Sequence, residues 1–134
     1  MAGTVTHAIT TEVDHIKVAT FTATADASDG SFPATTLTVL PRNGIGGRLL
    51  QMITDPDGTT APQDNWDVVL TNGGGDMLLG GGANRDTANT EVAVLESNAA
   101  HPIYAGTDSL ILTITGNNVN SAGIVIKLYF AEGI

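Results

Sequence analysis

Ile16-Lys17-Val18-Ala19-Thr20-Phe21-Thr22-Ala23-Thr24 is the stretch that decides the fold. In an extended chain Ile16, Val18, Thr20, Thr22 and Thr24 point to one side, and Ala19, Phe21 and Ala23 to the other. A period of two is the signature of a strand, because a helix would bring together positions three and four apart. Threonine, valine and isoleucine lose rotamer freedom in a helix but fit a pleated sheet.

The same alternation recurs outward in both directions. Leu37 and Val39 repeat it, as do Trp66, Val68 and Leu70; Leu110, Leu112 and Ile114; and Ile124, Ile126, Leu128 and Phe130. Between these runs stand turn formers: Ser28-Asp-Gly30, Pro41-Arg-Asn-Gly44, Asp55-Pro-Asp-Gly58, Asn72-Gly-Gly-Gly75 and Gly116-Asn-Asn118. The pattern predicts strands near residues 4–10, 14–25, 35–40, 47–54, 66–71, 76–79, 91–95, 101–105, 108–115 and 123–131, one of them a short edge. No segment of ten or more residues has a helical period. The expected class is all-β, a two-sheet antiparallel β-sandwich, with jelly-roll connectivity as one arrangement of it. One domain spans 1–134, with Met1–Thr11 as an N-terminal arm ahead of the first strong strand. Residues 73–90, with glycine triplets at 73–75 and 80–82, read as a short strand followed by a long exposed loop.

At 134 residues and 13.7 kDa the chain is one domain long. Such a domain buries roughly two-thirds of its unfolded surface, enough for a core without staples. Charged residues make up only 14%, against about a quarter in typical soluble domains. Much neutral surface must therefore face outward, which invites protein partners. The net charge is −9, and Lys17, Arg42, Arg48, Arg85 and Lys127 are scattered singly. Nucleic acid requires clustered cations to displace counterions, and an anionic membrane repels an acidic chain, so neither is an expected partner. The chain contains no cysteine, which removes disulfides, thiolate zinc sites and thiol nucleophiles. No apolar run approaches the ~18 residues of a spanning helix. The opening residues lack the charged and apolar regions of a secretory signal, so synthesis in a cytoplasm is expected.

No motif carries recognisable chemistry. The glycine triplets are followed by neither Gly-Lys-Ser/Thr nor a helix, so they read as turns rather than a phosphate cradle. Asp55-Pro-Asp57-Gly58 resembles the start of a calcium loop, but Trp66 stands where the bidentate glutamate is needed. Asp64, Asp67, Asp76 and Asp86 are read as solvated turn residues, with a weak cation site as the alternative. His7, His15 and His101 lack zinc-ligand spacing. Ser28, Ser31, Ser97, Ser109 and Ser121 lack a Gly-x-Ser-x-Gly elbow. No catalytic residue, cofactor or metal is assigned, and the chain is not expected to be an enzyme.

Several motifs together resemble small structural proteins of tailed-bacteriophage particles, of the head decoration or cement type. They are Met1-Ala-Gly-Thr-Val-Thr6, Ser31-Phe-Pro33, Gly47-Arg-Leu49, Asp55-Pro-Asp-Gly-Thr-Thr-Ala-Pro62, Asp64-Asn-Trp-Asp-Val-Val-Leu70, Gly80-Gly-Gly-Ala-Asn-Arg85, Leu110-Ile-Leu-Thr-Ile-Thr-Gly116 and Ile126-Lys-Leu-Tyr-Phe130. The resemblance implies a virion component on the capsid surface, often trimeric, that reinforces a shell by contacts with a major capsid protein or another virion protein. A tail-associated structural protein and a carbohydrate-binding or adhesin-like sandwich are the alternatives. Sugar binding would require Trp66 or Tyr104 exposed on a face. Val5, Ile9 and Trp66 are the candidate interface residues. Val5 and Ile9 are the large apolar groups of an arm able to pair with a neighbour's sheet edge, and Trp66 is expected in the core or in a subunit contact.

Overall fold

Alternation becomes nine strands among the described residues. They are β1 (Thr4–Val13), β2 (Ile16–Thr24), β3 (Thr35–Thr36), β4 (Gly47–Pro56), β5 (Asp67–Thr71), β6 (Glu91–Val94), β7 (Ile103–Tyr104), β8 (Ile111–Thr115) and β9 (Gly123–Glu132). The computed structural model describes residues 2–13, 15–37, 47–72, 75–95, 103–104 and 109–132. Val39 and the rest of the strand expected at 35–40, the turn at 41–44, Gly73, Gly74, Ser97, His101 and most of the strand expected at 101–105 lie outside them. No helix occurs among the described residues.

The strands form two sheets in which every pairing is antiparallel. The larger has the order β1-β2-β9-β4-β6, with β7 also pairing with β4, and the smaller has the order β3-β8-β5. Register explains the core. Across the large sheet Ile9 stands opposite Ala19, Ala19 opposite Leu128, Leu128 opposite Met52 and Met52 opposite Ala93. A second row runs His7, Phe21, Ile126, Thr54. In the small sheet Val68 faces Ile114 and Leu70 faces Leu112 across adjacent strands. The buried residues of both sheets form one cluster, with Trp66, Phe21 and Phe130 its largest members. Each large apolar side chain so buried contributes about 1.5–3 kcal/mol.

Three sequence expectations need correction. Residues 76–79 form a turn rather than a strand. The Asp76 carboxylate accepts from the N–H groups of Leu70, Leu78 and Gly80, which coils the segment into a turn. The following loop is exposed at Gly80, Ala83, Asn84 and residues 88–90, as expected, but it is anchored by the buried Gly82 and Arg85, next to the buried Met77 and Leu78. Gly82 lies so close to β5 that an added Cβ would fall 2.1 Å from the Val68 carbonyl oxygen. Finally, most of the expected arm is strand β1 of the chain's own sheet, paired with β2 from Thr4↔Thr24 to Val13↔Ile16. The chain thus turns back between Val13 and Ile16, laying one alternating run against the next.

Candidate interaction surface

Residues that alternate out of the core decide what the large sheet shows on its other side. β1 presents Thr4, Thr6, Ala8 and Thr10, all exposed, and β2 adds Thr22 and Thr24. Further across, Lys127 and Tyr129 of β9 stand opposite Ile53 and Gln51 of β4, which stand opposite Val92 and Val94 of β6. Val92 and Val94 are 59% and 62% exposed. Among the described residues Lys127 is the one charge near the middle of a strand on this side; Glu12, Arg48 and Asp55 lie towards strand ends. The surface carries little charge and is rich in threonine.

The acidic charge sits elsewhere and has a structural use. Asp26 accepts from the N–H groups of Ser28 and Asp29, and Asp57 from those of Thr59 and Thr60. Asp67 accepts from Asn84 N–H and Asp64 from Thr87 N–H. Carboxylates on short side chains fold turns by capping nearby backbone donors in this way. The Ser31 hydroxyl and N–H hold the Asp29 carboxyl below its ordinary range. The N–H groups of Ala88 and Asn89, followed by the Asn89 side-chain amide, do the same for Asp86. The four aspartates weighed as a cation site thus accept from backbone N–H groups, and no three His, Asp or Glu side chains group to hold an ion among the described residues.

Trp66 immediately precedes β5 and is wholly buried in the chain's own core. An exposed sugar platform therefore cannot be built on it, and the side chain of Tyr104 lies outside the described residues. Val5 and Ile9 lie on the core side of β1, half-buried against the cluster. The His7 ring sits 5.4 Å from that of Phe21, and His15 is exposed in the β1–β2 connection. Ser28, Ser31, Ser109 and Ser121 are exposed.

A shallow groove of about 500 Å³ opens where β2, β4 and β9 end, lined in part by Thr22, Thr24, Asp55, Asp57, Thr60 and Ser121. Its two carboxylates are engaged, Asp55 by the Thr90 hydroxyl and Asp57 by backbone N–H groups. No histidine or lysine is among its lining residues.

Sequence reasoning missed Arg85. Its guanidinium is buried, donates to the Gly81 carbonyl oxygen and pairs with Glu91, with Nη2 at 3.0 Å and Nε at 3.2 Å from Oε1. That glutamate oxygen also accepts from Asp86 N–H at 2.7 Å. The only sequence signal was an isolated cation in a glycine-rich loop.

Compared with known proteins, the chain matches no family model, no curated protein and no solved structure.

Proposed function

We propose that the chain is a non-enzymatic structural protein that coats and reinforces a bacteriophage capsid through protein–protein contacts, its two sheets closing as a β-sandwich with jelly-roll connectivity. The observation that carries this reading is the outward side of the large sheet. Ten-residue strands are about 33 Å long, and the strand spacing makes the sheet about 19 Å wide. That is at most roughly 600 Å² of sheet surface, the order of one side of a standard interface. Its low charge lets it be desolvated cheaply against another protein, as the core of an interface must be. The sandwich is supported by the one cluster that residues of both sheets share. The sequence motifs resembling phage decoration proteins supply the partner, a shell protein.

The test adds purified chain to heads and to tails that lack it, then measures co-sedimentation and survival of the particles on heating and in low salt. Saturable binding to heads with improved survival supports the reading. Ile53→Glu or Lys127→Glu, on the exposed sheet, should reduce binding while leaving the circular dichroism spectrum unchanged. Binding to tails alone assigns the chain to the tail. A protein that retains glycans and binds neither particle overturns the assembly reading in favour of a sugar-binding module.

A further inference from the structure

We infer that β1 is where two copies of the chain join, their β1 strands pairing antiparallel about a twofold axis so that the two large sheets become one. The inference deepens the assembly reading by naming a second copy of the chain as one partner, and the contact is argued from the edges of the sheets.

An unpaired edge strand is a template for another strand, and soluble proteins blunt such edges by shortness, proline, lysine or a covering segment. Among the described residues, the outer edge of the smaller sheet at β5 is treated in that way. The free side of β5 is covered by the 75–90 loop: Val68 N–H donates to the Gly82 carbonyl oxygen, and Met77 N–H and Arg85 N–H donate to the carbonyl oxygens of Leu70 and Trp66. β1 is not so treated. It is ten residues long, and no described residue pairs with its far side. It contains no proline, lysine or arginine, its only carboxylate is Glu12, and its single irregularity lies beyond Thr11.

Side chains and charge fit a second copy. A twofold axis normal to the sheet preserves its faces, so residues on one face of β1 meet residues of the same face in the other copy. Centred on His7, this register sets Val5 opposite Ile9 of the second copy, and Ile9 opposite Val5. Both side chains are half-buried in one chain, packed against its core cluster. The two Glu12 carboxylates then lie about 34 Å apart along the strands. That is several Debye lengths at physiological ionic strength, so a chain of net charge −9 pairs here without a local clash of like charge.

The absence of native cysteine makes single-cysteine crosslinking a clean probe. Under mild oxidation His7→Cys, on the axis, should form a disulfide dimer, since opposed strand residues lie within disulfide reach. Thr4→Cys and Thr10→Cys, each three positions off the axis, should remain monomers. Because His7 packs beside Phe21, a second probe mixes Thr6→Cys chains with Ala8→Cys chains. Both positions are exposed and opposed in this register, so the mixture should crosslink. Lysines at both Thr6 and Ala8 should weaken the dimer seen by light scattering about tenfold, with an unchanged melting temperature. Crosslinking that is absent, or equal at every position, overturns the inference, as does a monomer at high micromolar concentration. A monomer that still binds and protects heads refutes the β1 pairing alone; a β1-linked dimer that binds no particle refutes the assembly reading alone.

Discussion

The indole Nε1 of Trp66 donates to the carbonyl oxygen of Asp86 at 3.2 Å, tying the start of β5 to a loop twenty residues further along the chain. Backbone bonds reinforce the tie, with Arg85 N–H donating to the Trp66 carbonyl at 2.7 Å and Asn65 N–H to the Arg85 carbonyl at 3.0 Å. The indole thus fills the core with its rings while its one polar atom is satisfied by the segment that covers it. A buried aromatic with a polar handle is stable on those terms.

Trp66→Ala should therefore lower stability by about 3–5 kcal/mol through the cavity it leaves. Trp66→Phe should cost less than Trp66→Ala, although it too gives up the bond to Asp86, worth about 1 kcal/mol. Urea denaturation followed by circular dichroism measures both. Equal midpoints for Trp66→Ala and wild type would contradict the burial seen here.

The pair between Arg85 and Glu91 is asymmetric, with Arg85 buried and the Glu91 side chain 36% exposed. Glu91→Ala should cost about 2 kcal/mol, because it leaves a buried guanidinium without its counter-charge. Arg85→Met should cost less, since the remaining carboxylate reaches water and still accepts from Asp86 N–H. Chemical denaturation of the two variants checks the order. A larger loss for Arg85→Met would mean that packing, rather than charge, holds the loop.

Gly82→Ala should destabilise by about 1–3 kcal/mol, the usual range for forcing volume into a packed site. The added methyl would meet the Val68 carbonyl oxygen, which belongs to the rigid edge of β5 and not to a flexible side-chain tip. Faster proteolytic cutting within 83–90 should accompany the loss. Gly80→Ala, with open space around its Cβ but a φ of +78°, tests the different cost of a left-handed backbone.

Acid should weaken the fold through Asp29 and Asp86. Both carboxyls are depressed from the ordinary value of 3.8 by hydrogen bonds to their charged forms. Folding thus favours the ionised state, and the resulting stability is fully present above the unfolded value and lost as pH falls through the folded one. The melting temperature should be insensitive to these groups from pH 7 to about 5 and fall below about 4. Asp86→Asn keeps an acceptor for Ala88 N–H but carries no charge. Its deficit against wild type should be present at pH 7 and close as the solution becomes more acidic; a constant deficit would exclude the charge as its cause.

Local order along the chain was enough to determine the class of the protein. Alternation in 16–24, 66–71, 108–115 and 123–131 announced strands because side-chain direction in a strand depends only on position, and turn residues marked where the runs had to end. Composition likewise announced neutral surface and the absence of thiol chemistry. Tertiary structure alone decided which side of each strand is core. In β2 the inner side belongs to Ala19, Phe21 and Ala23, because these stand in register with Leu128, Ile126 and Ile124. In β4 the register shift between Leu49 and Gln51 puts Leu49 and Met52 on one face, a reversal that strict alternation cannot express. The same holds for the 75–90 loop, whose glycines read locally as freedom. They serve close packing because β5 and Glu91, distant in sequence, supply the Val68 N–H that donates to the Gly82 carbonyl and the carboxylate that pairs with Arg85. The edge position of β1, whose far side no described residue pairs with, is likewise a property of the assembled sheet, since an edge exists only once it is known which strands have found partners.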